Sequence, residues 1–462
     1  MKTIYRYLII LILAVNAALL PSSCEEFLDV QPTSSLVADN AIYDAKTARA
    51  SIISVYSSAK SYSTGSAVTL GVIPGDNVFF GGSQSQNIEL DANAFTVTNS
   101  AIVGAYRENY TIINRANWVL SEVPKVTDEA LTDEERNHLI GEAYFLRAFA
   151  YFHLARSWGG VQIQLQPTTD LSSIGNIKRS SQEETYARVI EDLDEAERLL
   201  RPDDNTTRNR AQKAIVQAFR ARVHLYARQW DEAERYATQV IDNPKYELVS
   251  PYRAFFTAPF LTKEAVFEFT STATDRNTSW SAWYPSAVTR SGSYERRPTS
   301  ELINLLNDPE KGGTRNVLIA QSGSDVYGVL YNTVSTTTVA AASTDPAYVI
   351  RLADLYLIRA EARARKTPAN LPEAVSDLNR IRNRAEVASF PETGDANAVL
   401  LAIEEERRLE FAFEAHRWYD LVRTERAKDI LGVDRNFWLF PIPRADVLSD
   451  PDLDGHNNPG YD

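Results

Sequence analysis

The chain has 462 residues, with 48 Lys and Arg against 61 Asp and Glu, a formal net charge of −13 at pH 7. That balance makes it a poor nucleic-acid binder and repels it from anionic lipid, so neither a phosphate-reading surface nor a basic membrane patch is expected. Its one cysteine, Cys24, excludes a disulfide within the chain, and if Cys24 is consumed by an anchor no thiol remains for a disulfide or a metal site.

The amino terminus reads as an export signal. Lys2 and Arg6 give a positive start, residues 7–15 and 17–20 an apolar stretch, and Ser22 and Ser23 a small-residue zone directly before Cys24. Asn16 and Pro21 interrupt the apolar run, which falls short of the roughly 20 residues of a membrane span. Cleavage before Cys24 would leave an amino-terminal thiol placed for lipid attachment. Residues 1–23 are therefore expected to be a lipoprotein signal peptide and residues 24–40 a lipidated tether, although Pro21 stands where such signals usually carry leucine. The alternative is a plain secretory signal followed by an incidental cysteine. Loss of residues 1–23 removes Lys2 and Arg6 and no acid, which takes the charge to −15 and leaves a chain long enough to be held by its own core.

Residues 41–462 read as a single domain. Apolar positions recur at helical spacing over residues 40–60, whereas residues 61–104, rich in Ser, Thr, Gly and Asn, predict loop with short extended pieces. A helix is expected over 105–123, then a connection, then a second helix over 134–158 that is capped by Thr132 and stopped by Gly159-Gly160. Residues 181–200 start with a serine cap and acids. Residues 211–242 predict two helices broken near 228–230, residues 349–387 two more broken at 367–372, and residues 398–430 a last long helix.

Two of these pairs carry a repeat signature. Ala221 lies twelve positions before Ala233, with Trp230 at the turn and Pro244 at the exit, and Leu371-Pro372-Glu373-Ala374 repeats the second half. That is a degenerate tetratricopeptide layout, with His224 where tyrosine is usual; ordinary antiparallel helix packing gives the same hairpins. The expected fold is mainly α, with tetratricopeptide-like hairpins (about 134–244 and 349–387), long loops and a few short strands. The loops cluster at about 61–104 and 271–347, and extended pieces are expected at 265–270 and 326–331. An interruption as long as 275–347 inside a domain is usually functional or separately organised.

Both ends of the chain resemble one family. Cys24-Glu25-Glu26-Phe27-Leu28-Asp29 with Pro32 is similar to the start of SusD/RagB lipoproteins of Bacteroidetes. The carboxyl end agrees in Glu406-Arg407-Arg408-Leu409-Glu410-Phe411, then Glu414, His416-Arg417-Trp418-Tyr419-Asp420-Leu421 and Arg423, then Leu439-Phe440-Pro441-Ile442-Pro443 and Asn457-Asn458-Pro459-Gly460-Tyr461, so that 398–462 forms a family block. The resemblance implies a surface-exposed lipoprotein anchored to the outer membrane through Cys24. Its helical repeats would face a TonB-dependent, SusC-like transporter, and its loop-rich face would capture ligand. The family's commonest ligands are oligosaccharides; RagB-like members handle peptides. A tetratricopeptide adaptor that binds only protein is the reading of a different class.

No catalytic signature stands out. The segment 404–423 clusters Glu, Arg, His and Asp, but Glu406, Glu410 and Glu414 at i+4 spacing are what a salt-bridged helix also displays. The histidines His138, His153, His224, His416 and His456 make no metal spacing, and Gly81-Gly82 and Gly312-Gly313 lack the strand–turn–helix frame of a phosphate loop. No cofactor and no metal are expected. Sugars stack C–H faces on aromatic rings while their hydroxyls need amide, carboxylate or guanidinium partners. On that ground Trp280, Trp283, Tyr284, Tyr294 and Arg296 in the later loop, and Asp76, Asn77 and Phe80 in the earlier one, are the candidate ligand residues. The aromatic ones could equally pin their loop to the body, since large rings are usually buried. Trp118, Trp158, Trp230, Trp418 and Trp438 read as structural.

Overall fold

In a computed structural model of the chain, the helix-start residues named from the sequence do the capping expected of them. The structure describes residues 41–461 apart from 170–176, 203–207, 273, 278, 290, 332–342 and 454–456. The expected signal peptide, Cys24, the tether and His456 lie outside the described residues. From Tyr43 onward the chain forms one compact unit.

Helix α1 (Ala45–Thr64) opens on a capping box, in which the Asp44 carboxylate accepts from the Thr47 N–H at 2.7 Å and Thr47 Oγ1 from the Asp44 N–H at 3.0 Å. Helices α2 (Ser66–Val72) and α3 (Ser85–Asp91) flank strand β1 (Val78–Phe80). These helices correct the expectation of loop over 61–104. Each has only seven residues, too few to display a period, and the small polar composition of the stretch hides an α2 that buries Ala67, Val68, Leu70 and Val72.

Helix α4 (Ser100–Glu122) packs on α5 (Asp133–Trp158). Thr132 Oγ1 accepts from the Glu135 N–H at 3.2 Å, and Asp133, Glu134 and Glu135 sit where the helix dipole is positive. The stop at Gly159-Gly160 is enforced by packing: a Cβ on Gly160 would lie 1.9 Å from the Ser180 carbonyl oxygen. Helix α6 (Gln182–Leu199) starts with the Ser181–Glu184 capping box. Helices α7 (Lys213–Tyr226) and α8 (Trp230–Ile241) follow as the first repeat-like hairpin, with Ala221, Ala233 and Ala237 fully buried. Phe145, Phe149, Phe152 and Phe219 meet edge-on or tilted between α5 and α7 and fill the helical core.

Strand β2 (Ala265–Phe269) begins a strand-containing stretch with β3 (Arg296–Pro298), helix α9 (Ser300–Asn307), strands β4 (Ile319–Ser322) and β5 (Asp325–Gly328), and β6 (Ala347–Arg351). The strands form three antiparallel pairs, β1 with β3, β2 with β6 and β4 with β5. A second apolar cluster lies under this stretch, built from Tyr252, Phe255, Phe256, Trp283, Leu302 and Phe413 among others.

Helices α10 (Leu352–Arg365) and α11 (Leu371–Arg384) make the second hairpin, and α10 packs on α8. The last helix expected over 398–430 is instead three: α12 (Ala396–Glu410), α13 (Arg417–Arg423) and α14 (Ala427–Leu431), followed by the short α15 (Arg444–Ser449). No Gly or Pro marks the break. Tertiary contacts make it, since Phe411 stacks on His416 at 4.6 Å while Phe413 meets Trp283 at 5.1 Å, and one straight helix would not serve both.

Glu268 on β2 is buried with no ion pair among the described residues; its Oε1 accepts from the Leu261 N–H at 2.9 Å. Burial pushes its carboxyl up to about 7, against the opposing pull of that hydrogen bond and of Arg208. The folded chain thus holds this proton more tightly than the unfolded chain. The resulting stability is fully present below the unfolded value of about 4.3, and is lost as pH rises through about 7. Glu268→Gln is expected to match the parent near about pH 4 and to exceed it near about pH 8 by on the order of 1–3 kcal/mol, read from urea melts at both pH values.

Candidate functional site

Strand pairing brings together the two loops singled out from the sequence. In the β1–β3 ladder Val78 faces Pro298, Phe79 faces Arg297 and Phe80 faces Arg296. Side chains alternate across a strand, so one residue of each neighbouring pair points inward and the other outward. Phe80 and Arg296 point inward and are buried; Phe79 is 42% exposed, and Arg297 is half-buried on the same outer side.

Packing places most of the candidate residues beneath the surface. Trp283 is 2% exposed, with Phe413 on one side and the Arg296 guanidinium 5.7 Å from its ring. Tyr284 is buried against Tyr327. Asn77 donates to the Arg408 and Ala412 carbonyls and accepts from Arg408 Nε at 2.8 Å, while Asp76 receives Arg417 at 2.6 and 2.9 Å and Arg408 at 3.0 Å. Burial opposes the Asp76 charge, but Arg417 and Arg408 outweigh it and hold its carboxyl below the usual range. These residues clamp the β1 loop to the C-terminal block. Trp280 lies in the short 3-10 turn Ser279–Ala282; its side chain lies outside the described residues.

Tyr294 remains at the face. Its hydroxyl donates to the Val326 carbonyl at 2.7 Å, and its φ of 49° is a left-handed conformation that non-glycine residues seldom adopt. Its ring packs under Arg297, whose Cζ is 4.5 Å from the Tyr294 centroid and 5.9 Å from that of Phe79. Arg297 forms no ion pair among the described residues; its Nε donates to the Tyr294 carbonyl at 2.9 Å. Gln84 Nε2 donates to Glu295 Oε1 at 2.8 Å alongside. Gly81 lets Arg297 lie close, since a Cβ would come within 2.5 Å of Arg297 Nε and push the guanidinium aside. Phe79, Gln84, Glu295 and Arg297 were missed by sequence reasoning. The missing signal was strand parity, which cannot be assigned to a three-residue strand until its partner is known.

The face therefore offers one exposed ring, a guanidinium spread between two rings, a carboxylate and an amide. That combination can stack on an apolar ligand face and hydrogen-bond its hydroxyls. Among the described residues no group of three or more His, Cys, Asp or Glu could hold a metal ion, and no helix is long and apolar enough to cross a membrane.

Phe80→Ala is expected to cost about 3 kcal/mol of stability, since it empties a buried site. Phe79→Ala should stay within about 0.5 kcal/mol of the parent. Chemical denaturation of the two variants checks the parity directly.

Residues 26–225 match a SusD-like family described as "Starch-binding associating with outer membrane", and residues 320–435 match the SusD family. A SusD-like protein of Formosa agariphila is 26% identical over 502 residues, which span 94% of this chain and 95% of that one. A laminarin-binding SusD-like protein superposes with a TM-score of 0.76 at 24% identity, over 91% of this chain and all of the other. A SusD superfamily protein of Bacteroides vulgatus gives a TM-score of 0.79 at 22% identity, over 88% of this chain and 98% of its own. At such identities the structural likeness establishes the fold.

Proposed function

The chain belongs to the SusD/RagB family, and from that premise we propose that it is a non-catalytic lipoprotein of the outer membrane that binds oligosaccharide at the cell surface and delivers it to a TonB-dependent, SusC-like transporter. The observation that carries the binding half is the outward face of β1 and β3, where Phe79, Arg297 and Tyr294 stand beside Glu295 and Gln84. Stacking on Phe79 would supply contact area, and the polar groups would orient the ring hydroxyls. The laminarin-binding neighbour supports a glycan as the ligand class. Anchoring would come from lipid on Cys24, in keeping with a chain too acidic to be held by anionic headgroups.

Calorimetry against a panel of oligosaccharides and peptides tests the proposal. It predicts binding by a glycan, with Phe79→Ala and Arg297→Ala each weakening it by about five- to thirtyfold. Capture of peptides alone, or release of product from a bound sugar, would overturn it. For the anchor, intact mass of protein extracted from membranes should match a chain that begins at Cys24 and carries acyl groups. A chain cleaved elsewhere without lipid would refute that part.

A further inference from the structure

Of the buried arginines among the described residues, all but Arg156 and Arg296 form an ion pair with a carboxylate. Arg156 lies on α5 with its Cζ 3.8 Å from the Tyr419 ring centroid, and Nη2 is spent on His153 Nδ1 at 2.9 Å. Its Nε is buried with no hydrogen-bond partner. An uncompensated buried cation is costly, and natural proteins seldom leave one unanswered.

Arg156 borders a cavity of about 40 Å³ between α5, α7, β6 and the turn after α12. The other polar groups on its wall are mainly donors. His153 Nδ1 accepts from Arg156, so in the neutral ring the proton sits on Nε2, which no protein group engages. Burial, then Arg156 and Arg222, holds His153 well below its usual range, so the ring stays neutral. Arg222 commits Nε and Nη2 to Asp354 at 3.0 and 2.7 Å and leaves Nη1 over. The Tyr348 hydroxyl is buried without a partner. His416 Nδ1 faces Arg407 Nη2 at 3.4 Å, which leaves its Nε2 proton unclaimed as well. Glu414 is the one carboxylate on the wall, and Arg351 already holds both its oxygens through Nε and Nη2 at 2.6–3.3 Å.

A wall of unanswered N–H and O–H donors around a guanidinium that has aromatic rings but no carboxylate beside it calls for an acceptor carrying negative charge. About 10–15 Å³ of such space holds one water, so about 40 Å³ is room for a few water-sized bodies, too little for a sugar and enough for one compact ion. We propose that this cavity is a binding site for a single halide-sized monovalent anion, held by Arg156, Arg222, Tyr348 and the Nε2 protons of His153 and His416.

The test uses the whole soluble chain in sodium chloride or bromide against sodium gluconate at equal ionic strength, gluconate being too large to enter. Anomalous diffraction from crystals grown in bromide should place a peak within the cavity. The Tm should rise with halide and saturate, because the ion binds the folded chain alone. Arg156→Gln is expected to lose this response, but it alters the core. Tyr348→Phe keeps the ring and its packing, and should need about tenfold more halide for the same rise, the scale of one hydrogen bond to a charged group. An absent bromide peak, or equal Tm in gluconate and halide, would mean that water fills the cavity and would overturn the proposal. So would a halide response identical in Tyr348→Phe and the parent, which would mark a general salt effect.

Discussion

The outward face of β1 and β3 hangs from one buried ion-pair network. Arg351, at the end of β6, reaches Glu264 at 2.6 Å, Glu410 at 2.8 Å and Glu414 at 2.6 Å. Arg384 at the end of α11 shares Glu264 and Glu410, and Arg315 binds Glu406 and Glu410. Burial opposes the charge on Glu410, yet Arg384, Arg351 and Arg315 outweigh it and hold the carboxyl down to about 2. Such a network returns little net stability over an apolar core of the same volume, but removing one partner strands the others in a low dielectric. Its effect is geometric. Glu264, Arg315, Arg351, Arg384 and the end of α12 have one mutual arrangement in which every charge is answered.

That arrangement fixes the turn after α12, and the turn fixes the face. Phe413 leaves the network and seats Trp283, which anchors the segment around Trp280. Arg408 on α12 and Arg417 on α13 grip Asp76 and Asn77 immediately before β1. The β1 strand is thereby held in register with β3, and the register decides that Phe79 and Arg297 face out while Phe80 and Arg296 face in. A C-terminal block more than 300 positions away in sequence sets the orientation of an N-terminal strand of three residues.

The helical frame was legible because its signals are local. Thr132 and Ser181 cap where expected, Gly159-Gly160 ends α5, and the small residues at Ala221 and Ala233 mark a close helix crossing. The errors fall where tertiary contacts decide. The break at 411–416 carries no breaker residue and exists because Phe411 and Phe413 are drawn to different partners. Helices α2 and α3 are too short for periodicity to register. The two loops singled out from the sequence do meet in the β1–β3 ladder, but most of the side chains named there are buried: aromatic and charged residues beside one another in sequence look alike until the strand pairing separates inside from outside. Tyr294 stays at this face, held by a left-handed backbone and the Val326 carbonyl.

Ion pairing also makes the charge-rich C-terminal segment part of the scaffold. Within 404–423, Glu404 faces Arg417 and Arg426, Glu406 faces Arg315 and Arg382, Glu414 faces Arg351, and Asp420 faces Arg407 and Arg423. A carboxylate held by guanidiniums spends its charge on those neighbours, and protonating it would break the pairing. Chemical density in sequence has become saturation in space. The groups left with unspent capacity lie elsewhere, at Arg297 and Phe79 on the outer side of the β1–β3 ribbon and around Arg156 in the interior. Arg297 is half-buried on the outer side, beside the exposed Phe79, and has no ion pair to give up among the described residues. The donors around Arg156 are enclosed, so whatever answers them belongs to the folded state itself.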